Sequence, residues 1–284
     1  MKVAILLTCF NRKSQTLNCL RNMQLAIDDF QKYKFDTFLV DDGSSDGTSE
    51  AVKLNFPEVN IILGNGNLYW NQGMRLAWKT ASEKHEYNFY IWLNDDTLID
   101  ENAISHLFEC YFESYKDTGD ETIITGACRN DNEGKFSYGG RTDIGPVLPN
   151  GRIQDCKYIN GNFVLIPKKI IADIGILSND YTHAMGDFDF GLSALRNGYN
   201  LATTKRYVAT CPNNIGIPIW CNPQVYLIER WKHFHSPLGL NIQEYKIFIK
   251  KNWPINSFRY ILKAYVKCLM PTIYHKLSKL CKII

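Results

Sequence analysis

Three short stretches place carboxylates where they can do chemistry. They are Asp41-Asp42 in FLVDDGSSDGT (38–48), Asp95-Asp96 in YIWLNDDTLID (90–100), and Asp187 with Asp189 in AMGDFDFGLSALRNGYN (184–200). Adjacent ionised carboxylates repel one another and lose hydration when buried, so each pair calls for a positive or hydrogen-bonding partner. For Asp95-Asp96 a divalent cation is one answer, since a magnesium-type site takes one or two carboxylates and completes its shell with water and phosphate oxygens. A helix cap is the other: Asp96 can cap a helix starting near Asp100, as Ser45 or Asp46 can cap one starting near Thr48. Asp42 can instead accept the ring N–H of a nucleotide base, with the small Gly43-Ser44-Ser45 allowing close approach to the backbone. Asp187 and Asp189 precede an apolar helical pattern (Phe190, Leu192, Leu195) closed by Gly198, and there they complement the helix dipole. Asp187 in that position can also serve as a general base toward a hydroxyl.

The elements that must position these groups follow from periodicity. Apolar runs at Val3–Leu7, Thr37–Val40, Val59–Leu63 and Phe89–Leu93 have the length and the branched or aromatic content of buried strands, and amphipathic stretches of helical length separate them. This βαβαβαβ pattern predicts an α/β fold: a mostly parallel, doubly wound sheet with helices on both faces. Ligands bind such sheets outside the carboxyl ends of the strands. Thr8 to Arg12, Asp41 to Gly47, Gly64 to Asn67 and Asn94 to Asp96 follow the four strands, so all of them are expected on one rim. Further strands are expected at Thr122–Thr125, Asn162–Ile166 and Leu201–Thr204, with helices at Lys168–Ile174 and Phe188–Arg196. Beyond Pro237 the chain reads as basic amphipathic helices broken at Pro254 and Pro271.

Composition sets the outer limits. A chain of 284 residues, 45% hydrophobic and 21% charged, can bury a full core, and a formal net charge of +3 gives no case for nucleic acid. The charge is uneven. Residues 241–284 hold nine Lys and Arg against one acid, Glu244, leaving the remainder net negative. Nine cysteines with no CxxC pair read as reduced thiols rather than a disulfide framework or a zinc site. No apolar run reaches the roughly eighteen residues of a spanning helix, and Val3–Leu7 lacks the cleavage site of a signal peptide. The expected location is the cytoplasm, with peripheral attachment to the inner face of the cytoplasmic membrane as an extension.

In order and spacing, VAILLTCFNR, VDDGSSDGT, the strand ending in NDD, NGNFVLIPK and GDFDF together resemble a family 2, GT-A-fold bacterial glycosyltransferase of the cell-surface polysaccharide type, over residues 2–210. The resemblance implies a Rossmann-like GT-A domain over 1–238, with a nucleotide-sugar half to about residue 100 and an acceptor half beyond it, and a basic helical tail over 239–284. It implies that Thr8, Asn11 and Arg12 contact the nucleotide, that Asp42 binds a uracil or thymine ring, and that Asn65, Arg75, Asn94 and Asp95 belong to the nucleotide-binding set. Asp96 would ligate Mg²⁺ or Mn²⁺, His235 is a further candidate ligand, and Asp187 would be the catalytic base. The reaction implied is inverting transfer of a hexose or deoxyhexose from a UDP- or dTDP-sugar to a glycan or lipid-diphosphate-linked saccharide, in capsule, O-antigen or related synthesis.

The sequence departs from that pattern in two places. Gly186 stands where the family's last motif has Glu, and Arg75 stands where Asn is frequent, facing either a diphosphate or a local acid. Tyr69 and Trp70 suit sugar stacking or helix packing, and His233 and His235 also read as ordinary surface histidines. The tail composition fits an anionic membrane surface or packing against protein. Two rival functions remain: a nucleotidyltransferase, although TCFNRKSQT lacks the glycine-rich loop such enzymes commonly carry, and a non-catalytic carbohydrate-assembly protein of the same fold.

Overall fold

The computed structural model of the chain describes residues 1–280 except 31, 132 and 214–215, together with all their side chains but those of 275 and 277–280. Lys282 of the basic tail therefore lies outside the described residues. The elements run β1 (Lys2–Cys9), α1 (Lys13–Asp29), β2 (Lys34–Asp41), α2 (Thr48–Asn55), β3 (Asn60–Leu63), α3 (Tyr69–Lys84), β4 (Phe89–Leu93), β5 (Leu98–Ile99), α4 (Ala103–Thr118), β6 (Thr122–Arg129), β7 (Gln154–Asp155), β8 (Phe163–Pro167), α5 (Lys168–Ile174), α6 (Gly186–Arg196) and β9 (Asn200–Thr210). A short 3₁₀ turn (Ile219–Cys221) follows, then α7 (Leu227–Phe234), α8 (Ile242–Asn252), α9 (Ser257–Leu269) and α10 (Pro271–Leu280).

The sheet has the order β3-β2-β1-β4-β8-β6-β9-β5, with β7 added on β9. Its first four strands are parallel, as the alternating pattern requires, and β8 runs antiparallel to both β4 and β6. Period-two alternation explains how the sheet is covered. Val3, Ile5 and Leu7 of β1 pack with Cys19, Leu20 and Met23 of α1 and with Ile104, Leu107 and Phe108 of α4. Ala4 and Leu6 face the opposite side, where Met74, Ala77 and Trp78 of α3 meet Trp92, Ile170 and Phe190. A strand buried on both faces must be apolar throughout, and that is why Val3 to Leu7 contains no polar residue.

Register then sets the rim. Cys9 pairs with Asp41 and Leu6 with Trp92, so β1, β2 and β4 end side by side. The antiparallel pairing Leu93↔Phe163 brings the start of β8 to the same edge, where the Asn94 N–H donates to the Asn162 carbonyl at 2.9 Å. The helix expected near Asp100 is α4, which begins at Ala103. Asp95 and Asp96 turn into β5 instead of capping it, and Asp100 is held by both Arg129 guanidinium nitrogens at 2.7 and 2.9 Å. Asp96 therefore caps nothing.

The chain forms two compact units, residues 1–179 with 186–213, and residues 180–185 with 214–284. The second unit includes α7 and the helices that follow it. In that second unit Phe234 and Ile242 pack with Ala264 and Cys268, and Arg230 donates to the carbonyls of Val225, Cys268 and Leu269. Glu244, the single acid of residues 241–284, accepts the Thr182 N–H at 3.0 Å and its hydroxyl at 2.6 Å.

Candidate active site

Arg12 answers the problem of the adjacent carboxylates. One of its terminal nitrogens lies 3.1 Å from Asp95 and 2.9 Å from Asp96, bridging both. Asp95 is 5% exposed and also receives the Thr16 hydroxyl at 3.4 Å. Burial pushes its carboxyl up to about 6, and the Arg12 charge pulls in the opposite direction. The Asp96 side chain, one-third exposed, is the solvent-facing member of the pair. Its other oxygen lies 3.8 Å from the Cys211 thiol, which burial pushes up to about 12 and keeps protonated.

These two carboxylates suit a divalent cation. They already gather a cationic group, and Asp96 leaves one side open to solvent. Among the described residues no group of three or more His, Cys, Asp or Glu is placed to hold a metal. A metal here would thus take most of its ligands from water and phosphate, the usual arrangement for Mg²⁺. His235 lies in the second unit, where its ring stands 4.6 Å from Trp231 and Nδ1 donates to the Trp231 carbonyl at 2.9 Å.

The nucleotide-binding candidates knit the loops of the rim together. Asn11, at φ +50°, donates its N–H to the Ser44 hydroxyl oxygen at 2.8 Å, and its side-chain oxygen accepts the Ser45 N–H at 2.8 Å. The loop after β1 is thereby tied to the loop after β2. Asp46 accepts the Thr48 N–H at 3.1 Å and the Lys13 N–H at 2.9 Å, while Asp41 receives the Ser44 N–H and the Ser49 hydroxyl.

Asp42, 3% exposed, accepts the N–H groups of Gly66, Leu68 and Tyr69 at 2.8, 2.8 and 2.9 Å. It organises the whole loop between β3 and α3. A base N–H would be the fourth donor on a carboxylate with about four acceptor positions. Within that loop Asn65 accepts the Asn67 N–H at 3.0 Å. Thr8 packs against α3 at Gly73, where a Cβ would stand 2.3 Å from the threonine hydroxyl. Arg75 donates to the carbonyl of Leu177, so a backbone oxygen receives its guanidinium.

Asp187 sits in the first turn of α6, half-buried, with one oxygen on its neighbour's amide (Phe188, 2.8 Å) and the other on the Gly161 amide at 3.0 Å. Burial pushes its carboxyl up to about 6, and the two amides limit the rise. A group titrating there is ionised at neutral pH yet basic enough to accept a proton.

Two residues outside the expected set complete the arrangement. The Trp70 indole N–H donates to the Asn94 side-chain oxygen at 2.7 Å, and its ring covers Gly161 so closely that a Cβ there would lie 2.2 Å from it. Asn94, Trp70, Gly161 and Asp187 thus form one continuous set of contacts from the NDD turn to the start of α6. The buried Asn71 donates to the Ser178 carbonyl at 2.9 Å and fills the space beside Gly186, where a Cβ would stand 1.9 Å from its Oδ1. A side chain at 186 would have to displace the Asn71 amide. The aromatic pair after GNGN was the sequence signal for Trp70; for Asn71 there was none, because its role depends on a residue 115 positions away.

Left-handed backbone also concentrates near these motifs. Asn11 (φ +50°), Tyr69 (φ +53°) and Met185 (φ +73°) each sit at the entry to a helix that carries site residues. Non-glycine residues hold such angles at a cost, and that cost recurs at functional sites.

The rim loops and the paired carboxylates fall within the reach of a known family. Glycosyl transferase family 2 matches residues 4–169, more than half of the chain. The chain belongs to glycosyl transferase family 2. Its fold is similar to that of S. aureus TarS, with a TM-score of 0.57 at 14% identity over 90% of this chain and 44% of that one. The chain thus spans less than half the length of that TarS chain. It is also similar to the mannosyltransferase PcManGT from Pyrobaculum calidifontis, solved with GDP-Man and Mn²⁺ (TM-score 0.55, 15% identity, 96% of this chain and 71% of that one). A third similar structure is S. aureus TarS 1–349 with UDP-GlcNAc (TM-score 0.52, 11% identity, 90% and 73%). At these identities the likeness concerns the GT-A fold. No curated protein sequence matches the chain.

Proposed function

We propose that the protein transfers a hexose or deoxyhexose, with inversion, from a UDP- or dTDP-sugar to a hydroxyl of a glycan or lipid-diphosphate-linked saccharide, as in capsule or O-antigen assembly. The observation that carries this reading is the placement of Asp187. It is held by two amides at the start of α6, and Gly161 and Trp70 link it to the NDD turn. In the proposed reaction Asp187 takes the proton of the acceptor hydroxyl as the oxygen bonds to the anomeric carbon, and the bond from that carbon to the diphosphate oxygen breaks. The nucleoside diphosphate leaves from the opposite face, so the anomeric centre inverts.

Asp95 and Asp96 would hold Mg²⁺ or Mn²⁺, which when bound offsets charge gathering on the leaving diphosphate. Arg12 remains beside them as a fixed positive charge. The Asn11 and Asp42 loops shape the nucleotide cleft, and Thr8, Asn65 and Arg75 brace it. The basic C-terminal region would face an anionic membrane on the cytoplasmic side, where lipid-linked acceptors lie.

Calorimetric titration of UDP and dTDP, with Mn²⁺ and then with EDTA, tests the donor side without an acceptor. Metal-dependent binding of either supports the reading. Binding of neither would overturn it.

A further inference from the structure

Beyond the candidate active site, exposed apolar side chains of the second unit gather along α9 and its flanks. Ile255 is 96% exposed and Phe258 76%, and Leu262, Leu269, Met270 and Ile273 are each about half exposed. At about 100° per residue, Phe258, Leu262 and Leu269 fall within about 40° of one another on the helix circumference. The next sector carries Arg259, Lys263 and Lys267, the last two with their ammonium groups 5.8 and 5.0 Å from the centre of the Tyr274 ring. The remaining sector, Ala264 and Cys268, is buried against Phe234 and Ile242.

The helix thus has three faces rather than two: one docked, one apolar and bare, one cationic. The Arg230 bonds to the Cys268 and Leu269 carbonyls fix the C-terminal end of the helix. The bare face is therefore set by the fold before anything binds to it.

We infer that this α9 face is a membrane-docking surface, with Phe258, Leu262 and Leu269 entering the acyl boundary of a bilayer and Arg259, Lys263 and Lys267 meeting anionic headgroups. Charge complementarity argues for that occupant. Residues 241–284 hold nine cationic side chains, and their single acid, Glu244, is already taken by Thr182. A second copy of the same face would bring like charges together. An anionic bilayer accepts both the apolar stripe and its basic flank. No described helix is long and apolar enough to cross a membrane, so attachment through this face is peripheral. The surface deepens the reading of a lipid-linked acceptor, but its test is independent of nucleotide binding and transfer.

The experiment is cosedimentation of the full chain with vesicles of phosphatidylcholine alone and of phosphatidylcholine mixed with phosphatidylglycerol, at low and high salt, with light scattering of the lipid-free protein. The expected result is binding to the phosphatidylglycerol vesicles only, reversed by salt. Phe258→Ser with Leu262→Ser should weaken it about tenfold or more, since apolar surface no longer leaves water. Arg259→Glu with Lys263→Glu should abolish it. Both variants change exposed positions, and an unaltered circular dichroism spectrum would show that they fold. Failure to bind phosphatidylglycerol vesicles at low salt, or equal binding by the variants, would overturn the inference. So would a dimer in light scattering that Phe258→Ser with Leu262→Ser converts to monomer, which would make this face a contact between copies.

Discussion

The proposed reaction gives Asp187 and Asp96 distinct duties, and single substitutions separate them. Asp187→Asn keeps the shape and, with one oxygen left, one of the two amide contacts but removes the proton acceptor, so transfer should fall by about 10²-fold or more while nucleotide binding is unchanged. Unaltered transfer would remove Asp187 from the base role. The same carboxyl gives a pH test. Its value in the folded protein, about 6, lies above the roughly 3.9 of a free aspartate, and the ionised form is the base. Activity should therefore rise with pH through about 6 and level off above it; a rate that stays flat down to about pH 4 would show that this group does not limit the reaction. Asp96→Ala leaves Arg12 paired with Asp95 and removes the solvent-facing carboxylate. Nucleotide binding should weaken in Mn²⁺ and stay unchanged in EDTA, and an equal loss in both titrations would count against coordination by Asp96.

At the level of elements, two contacts decide whether the loops and helices meet correctly. Asp42 holds the β3–α3 loop through three amides. Asp42→Ala leaves those buried donors unsatisfied, so we expect a loss of about 1–3 kcal/mol and faster hydrogen exchange at Gly66, Leu68 and Tyr69. Unchanged exchange there would show that the loop is held by other means. The start of α6 lies against α3 through Gly186 and Asn71. Gly186→Ala drives a methyl into the Asn71 side chain, an overpacking that should cost about 1–3 kcal/mol in urea unfolding. Asn71→Ala in the Gly186→Ala background should then cost less than Asn71→Ala alone. Additive effects would mean that the two positions do not compete for space.

For the whole molecule, the eight described cysteines are all buried and free. Stability should therefore owe nothing to disulfides, and the thermal midpoint should be the same with and without reductant; a drop on reduction would reveal a bond. The two compact units hold separate apolar clusters, one around the sheet and one around Phe234 and Cys268. The uneven charge follows the same division, with the basic surplus on the helices after residue 240.

Local sequence pattern was enough to specify the parallel half of the sheet, because strands buried on both faces must be continuous apolar runs, and Phe89–Leu93 could be bounded to the residue. It also determined which loops meet, since polar segments that follow parallel strands share one rim. Helix boundaries near the motifs were less legible. Asp96 resembled a cap because a carboxylate before a helical pattern looks the same whether it bonds an amide or a guanidinium, and only the fold brings Arg12 to it across 84 positions. The antiparallel insertion of β8 beside β4 was likewise invisible to local periodicity, yet it sets Asn162 and Gly161 against the NDD turn and the base. The replacement of Glu by Gly186 was a bare departure in the sequence. In the structure the buried Asn71 occupies that space, and a side chain at 186 would have to displace its amide.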